Sequence, residues 1–265
     1  MAGAWNENAL GHYREQLALA QLALEVASPD GPVPGYAGYL AVNALSVFDP
    51  DRGVNLAEEL LMNACMWPPR VRRHVLAAKA DCMIMSGDYV EGLAIYAEAY
   101  GPHRHDWPAS LSLLLEVVGR HEDAKELVRT EVSTDEFYLF NLQLGRALVT
   151  ASDGEHDQAL THLRAAAHLA RVRPARLLDR DLLVTAAALA LLRGDPRRAS
   201  RLLAVQRNSL WTRSPCSWAL YLHIREQVRK VLTRDEARHC QAQATSLTVD
   251  SALAAELGDA WPLEQ

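Results

Sequence analysis

Lysine is scarce in this chain. Of its 27 basic residues only Lys79, Lys125 and Lys230 are lysines, and they follow Ala, Ala and Arg. A phosphate-binding loop needs a Gly-rich turn ending Gly-Lys-Ser/Thr, so that backbone N–H groups and an ammonium can hold the phosphates. No such loop is present. The four cysteines, Cys65, Cys82, Cys216 and Cys240, make no Cys-x-x-Cys pair and no regular spacing, so they read as reduced, partly buried small apolar residues. Long apolar runs are also missing: the most apolar segment, Leu182 to Leu192, is Ala-rich and too short to cross a bilayer. The opening MAGAWNENAL has neither a basic n-region nor an apolar h-region, so a cytoplasmic location is expected. There is no Gly-x-Ser-x-Gly, no Cys/His constellation and no pair of carboxylates in an apolar setting. An enzyme is therefore the least favoured reading.

What the 265 residues do contain is an ordinary globular balance, 49% apolar and 23% charged, enough to bury a substantial core. The 14 Gly and 12 Pro fall at separated sites, as punctuation between helices, and no long linker is visible. Charge is uneven. Residues 1–160 carry 23 acids against 11 bases, whereas residues 161–220 carry 11 arginines against 3 aspartates.

The most informative feature is a recurring phrase: MSGDYVEGL, VVGRHEDAKEL, SDGEHDQAL and LRGDPRRASRL each set a glycine and a charge between two helical runs. Anchored on Gly53, Gly87, Gly119, Gly154 and Gly194, the spacings are 34, 32, 35 and 40 residues. That is the range of helical repeats. Five residues after the glycines stand Gly92, Ala124, Ala159 and Ala199. Seven before them stand Ser46, Ala80, Ser112, Ala147 and Ala187. Two antiparallel helices joined by a tight turn approach closely only where the facing side chains are small. Glycine supplies the backbone angles of the turn, and a polar residue after it helps to cap the second helix. Larger residues such as Leu76, Met83, Tyr96, Leu115, Leu163, Leu183 and Leu203 are assigned to the core between neighbouring hairpins.

The pattern of a small residue, Gly87 seven later, Tyr89, small Gly92, then Tyr96 and Ala99 resembles the tetratricopeptide repeat. His121, His156 and Pro196 stand where that repeat commonly has Tyr89's aromatic. Gly11-His-Tyr13 resembles one more such turn, so the chain is expected to open inside a hairpin. The C-terminal run from Ala199 to Leu257 is similar to the closing segment of the bacterial LuxR-type and adenylate-cyclase-linked ATPase regulators, with Ser246-Leu-Thr-Val-Asp-Ser-Ala-Leu253 standing for their characteristic phrase. Ala237 and Gln241 depart from that family's usual Phe and Trp. The resemblance implies an all-α, right-handed superhelical solenoid of antiparallel helix hairpins. About five to six tetratricopeptide-like hairpins would fill residues 1–207, and a continuous helical cap would fill 208–265. It further implies a sensor region in transcriptional regulation, without its nucleotide switch or its DNA-binding helix-turn-helix.

In that geometry the first helix of each hairpin lines a concave groove. Counting back from the glycines puts His74, Asp81, Glu116, Asn141 and Asp181 on the lining, with Ile84, Leu113, Leu144, Leu148 and Val184 between them. Such a groove accepts a protein or peptide partner, or a small effector, through apolar contact and a few polar anchors. A free-standing adaptor of the same architecture is the alternative, and the sequence leaves a homo-oligomer open. His103, His105 and Asp106 between two prolines invite a metal hypothesis but read as a solvated loop. HEDAK, from His121, lacks the second histidine of a helical zinc motif and reads as a helix start with acids near its N-terminal dipole. The arginines at 171, 173, 176, 180, 193, 197, 198, 201, 207 and 213 could meet phosphates or an acidic protein surface. Little aromatic sequence interleaves them, so an acidic partner is preferred to nucleic acid. No cofactor, catalytic residue or membrane contact is expected.

Overall fold

The computed structural model describes residues 12–27, 33–62, 67–101, 107–129, 135–172, 178–208 and 214–261. The sequence-flagged Gly11, Cys65, His103, His105, Asp106, Arg173, Arg176, Trp211 and Arg213 lie outside them. The described chain is all-helical, without strands, and none of its helices is long and apolar enough to cross a membrane.

The chain divides into two compact units, 1–106 and 107–265. The first holds α1 (Tyr13–Val26), α2 (Val33–Phe48), α3 (Pro50–Met62), α4 (Pro69–Ser86) and α5 (Tyr89–Tyr100). The second holds α6 (Leu111–Val117), α7 (His121–Arg129), α8 (Glu136–Ser152), α9 (His156–Val172), α10 (Leu178–Leu192), α11 (Pro196–Asn208), α12 (Pro215–Val231), α13 (Arg234–Ala244) and α14 (Val249–Leu257). The boundary expected after residue 207 falls inside the second unit, where α12, α13 and α14 pack on α10 and α11.

Four of the five anchor glycines make the same turn. Gly87, Gly119, Gly154 and Gly194 have φ of 99°, 76°, 85° and 81°, a left-handed conformation that any Cβ would strain. After each of them the chain closes in the same way. The glycine N–H reaches back to the carbonyl three residues earlier (Ile84, Glu116, Ala151, Leu191). The next N–H reaches the carbonyl five residues earlier (Met83, Leu115, Thr150, Ala190). This double closure satisfies carbonyls that the ending helix would otherwise leave bare. The residue after the glycine then opens the next helix, its carbonyl accepting from Gly92, Ala124, Ala159 or Ala199. Only at Asp195 does that residue's side chain also cap, accepting from Arg198 N at 2.9 Å.

Gly53 departs from the expected role. It is buried within α3, and a Cβ there would stand 2.5 Å from Cys82 Sγ. It serves close packing of α3 on α4 rather than a turn, and the α2–α3 corner is made by Asp49 and Pro50 instead. The small residues before and after the turns do what close approach requires. Ala80, Ser112, Ala124, Ala147, Ala159, Ala187 and Ala199 are fully buried, and Gly92 lies against Ile84 and the Ala80 carbonyl.

The two units use these hairpins differently. In the first, α2 packs on α1, α3 and α4, and α4 packs on α3 and α5, so that helices follow one another in a row. In the second, the first helix of each hairpin packs on the next, α6 on α8, α8 on α10 and α10 on α12. Then α12 packs back on α6. A row would hold α6 and α12 apart; here the four close into a ring. The reason is visible in their apolarity. Leu111 to Leu115 of α6 and Leu182 to Ala190 of α10 are buried without interruption, so neither helix has a face suited to water. The buried face of α12, with Leu220, Tyr221, Ile224 and Val228, covers what would otherwise be exposed. Where α8 crosses α6, Gly145 makes the contact possible: a Cβ there would meet Ser112 Oγ at 2.1 Å and Val128 at 2.8 Å.

Candidate partner-binding site

The five residues expected to line a groove divide between the units, His74 and Asp81 in the first, the other three in the second. They also differ in setting.

His74 is half-buried on α4, its ring 5.3 Å from that of Tyr39 and 6.2 Å from that of Tyr36, both on α2. The planes are tilted by 41° and 43°, between stacked and edge-to-face. Burial, then the charges of Arg70 and Arg73, lower its pKa, so the imidazole is neutral at pH 7. Two turns on, half-buried Asp81 accepts a hydrogen bond of 2.5 Å from Tyr96 Oη on α5. Burial pushes its carboxyl up to about 7, and the Tyr96 bond partly opposes that rise. Tyr96 stacks on Tyr100 at 6.0 Å, and the Arg73 guanidinium lies 5.5 Å over the Tyr100 ring. Burial raises the pKa of Tyr39 and of Tyr100, and the Asp81 charge raises both further. α2, α4 and α5 thus bring four tyrosines, one histidine, one arginine and one carboxylate together. Beside them, α3, α4 and α5 border an open cleft of about 550 Å³ lined by Leu61, Trp67, Arg72, Leu76 and Glu98, with Arg72 paired to Glu98 at 2.9 Å.

In the second unit the expected lining lies in the interior. Asn141 and Asp181 are only 6% and 8% exposed, and Leu113, Leu144, Leu148 and Val184 are buried with them. Asn141 donates to the Phe137 carbonyl of its own helix at 2.9 Å. The Asp181 carboxylate is hydrogen-bonded by Ser217 of α12, and burial pushes it up to about 6. Ring closure is the physical cause of this correction: α12 covers the first-helix faces that an open row would present. Glu116 belongs to a third setting, a polar clip between turns. Its Oε1 faces His121 Nδ1 at 2.5 Å, and its Oε2 accepts from Ser152 Oγ at 2.9 Å. No protein-family model, curated protein or solved structure matches the chain.

The arginine-rich tract is occupied largely by its own chain. Arg193 donates to the His156 carbonyl at 2.7 Å, and Arg197 meets Glu236 at 2.5 Å. Arg198 forks onto both oxygens of Glu256, each at 2.7 Å. Arg171 lies 5.9 Å over the Trp261 ring. The Arg197 guanidinium, helped by Thr233, holds the Glu236 carboxyl down to about 2. These contacts tie α9 and α11 to α13, α14 and the 3-10 turn at Gly258–Ala260. The positive charge read from the sequence as a surface for phosphate or an acidic partner therefore works in good part as an internal clamp. Among the described residues no group of three or more His, Cys, Asp or Glu is arranged to hold a metal ion.

The residues missed by sequence reasoning are Tyr36, Tyr39 and His121. Tyr36 and Tyr39 sit three apart on α2, a spacing that puts them on one helix face. That spacing was the available signal.

Proposed function

We propose that this protein is a helical-repeat recognition module, the sensor portion of a LuxR-type bacterial transcriptional regulator, and that its first unit receives a protein or peptide partner. The first unit is read as a short tetratricopeptide-like stack, right-handed and open along its first helices. The observation that carries the reading is His74 of α4, held within ring contact of both Tyr36 and Tyr39 of α2. Aromatic bodies with polar tips give large contact area at low conformational cost and fix the orientation of an extended peptide by hydrogen bonds. A neutral His74 offers one donor and one acceptor for that purpose. The second unit turns its first helices inward. The neighbouring cleft of about 550 Å³ falls within the size range of small-molecule sites and accommodates an effector.

The test is affinity capture from native lysate, with mass spectrometry of proteins and small molecules, using the wild-type chain and a Tyr36→Ala/His74→Ala variant. The reading expects a set of captured molecules that the variant loses while its circular dichroism is unchanged. Equal capture by both would end it.

A further inference from the structure

His121, the first residue of α7, has both ring nitrogens facing carboxylate oxygens. Nδ1 is 2.5 Å from Glu116 Oε1 at the end of α6, and Nε2 is 3.0 Å from Asp153 Oδ1 at the end of α8. A carboxylate only accepts, and a neutral imidazole carries one N–H. The arrangement is complete only with two N–H groups, that is, with the imidazolium. We propose that His121 is a proton-dependent staple that joins the α6–α7 hairpin to the end of α8, closed when the ring is protonated and loosened when it is not.

The surrounding groups define how the staple opens. Lys125, one turn along α7, reaches the same Asp153 Oδ1 at 2.7 Å and is 3.6 Å from Glu122. On α8, Ser152 donates to Glu116 Oε2 at 2.9 Å. In the α6–α7 turn Arg120 pairs with Asp123. With Lys125 already neutralising Asp153, the proton leaves most readily from Nε2, and Nδ1–H keeps the shorter bond to Glu116. The Nε2 lone pair would then face an Asp153 oxygen, acceptor against acceptor. The link from α7 to α8 weakens, while Ser152–Glu116 and Lys125–Asp153 remain. Partial burial and Lys125 disfavour the charged ring, but the hydrogen bonds to Asp153 and Glu116 outweigh them and raise its pKa. A group whose folded pKa exceeds its unfolded value stabilises below the unfolded pKa and loses that contribution as pH rises through the folded one. The staple is therefore closed below the ordinary histidine value and slackens as pH rises through the raised pKa of the ring.

Two measurements on the whole chain test this. The His121 ring resonances should titrate above the ordinary histidine value of about 6.5; a midpoint at or below it would overturn the proposal. Hydrogen exchange at the Gly119–Arg120 and Gly154–Glu155 amides, corrected for intrinsic rates, should show about two- to five-fold less protection at high than at low pH in this range, since the staple is partly exposed. In His121→Gln that dependence should vanish. A variant with the same pH dependence as wild type would sink the idea, and the ring titration stands even if the variant fails to fold.

Discussion

The two units share a turn and differ in what they do with it. Gly87 in the first and Gly119, Gly154 and Gly194 in the second close their helices through the same pair of backbone bonds. Yet α4 carries Arg72, Arg73, His74, Lys79 and Asp81 along its length, whereas α10 from Leu182 to Ala190 has no charged residue and is buried all round. The turn specifies a hairpin; α4 keeps a charged, partly exposed face after it is made, and α10 is buried on every side. His74, Asn141 and Asp181 make the point at equivalent positions, each thirteen residues before its turn glycine. The first is half-exposed between two tyrosines and the other two are sealed inside.

The hardest blow to this contrast is Ile224→Asp, which would put a carboxylate on the buried face of α12, where Ile224 is 1% exposed. An unpaired charge there should cost about 4 kcal/mol or more. Exchange protection should fall in α6, α8, α10 and α12, while α2 and α4 keep theirs. His74→Asp, at a half-exposed position close to Arg70 and Arg73, should cost about 1–2 kcal/mol, well short of the Ile224→Asp loss. Similar losses for both would mean that the second unit is no more closed than the first. Asp181→Asn sharpens the comparison from the other side. With a folded pKa of about 6 against an ordinary 3.8, Asp181 withdraws stability as pH rises from 4 to 6, and the penalty stands in full above that. The amide variant should gain roughly 1–3 kcal/mol at pH 7.5 and little at pH 4. Urea titrations at both values would show it, and an equal change in stability between the two pH values for variant and wild type would refute a raised Asp181 pKa. The mildest effect tests what the units have in common. Gly87→Ala and Gly154→Ala add a methyl group into open space, so each should lose only the backbone penalty of about 1–2 kcal/mol, and by equal amounts. Unequal losses would show that the turns are not equivalent.

Much of the fold was legible because a left-handed turn admits few residues besides glycine and a close helix contact admits few besides alanine and serine. Those two demands leave a mark that repeats. Gly53 shows the limit: a glycine that lets Cys82 approach and a glycine that turns the chain look alike in one dimension. Closure of the ring was not legible, because it depends on α12 meeting α6 across about a hundred residues, and nothing near either helix announces the other. Asn141 and Asp181 were read as groove polar groups for that reason. His121 was dismissed with the absent zinc motif. Its partners Glu116 and Asp153 each lie within three residues of a turn glycine, a proximity that becomes meaningful only once two turns are known to be neighbours.

Closing four helices on one another has a consequence for how the molecule comes apart. Among the described residues of the first unit α1 packs chiefly on α2 and leaves Leu19, Leu22 and Val26 exposed, so it can fray while α2 to α5 hold. The second has no terminal member among α6, α8, α10 and α12, so no one of them can leave without uncovering two others. Heating should therefore peel the one gradually and break the other all at once.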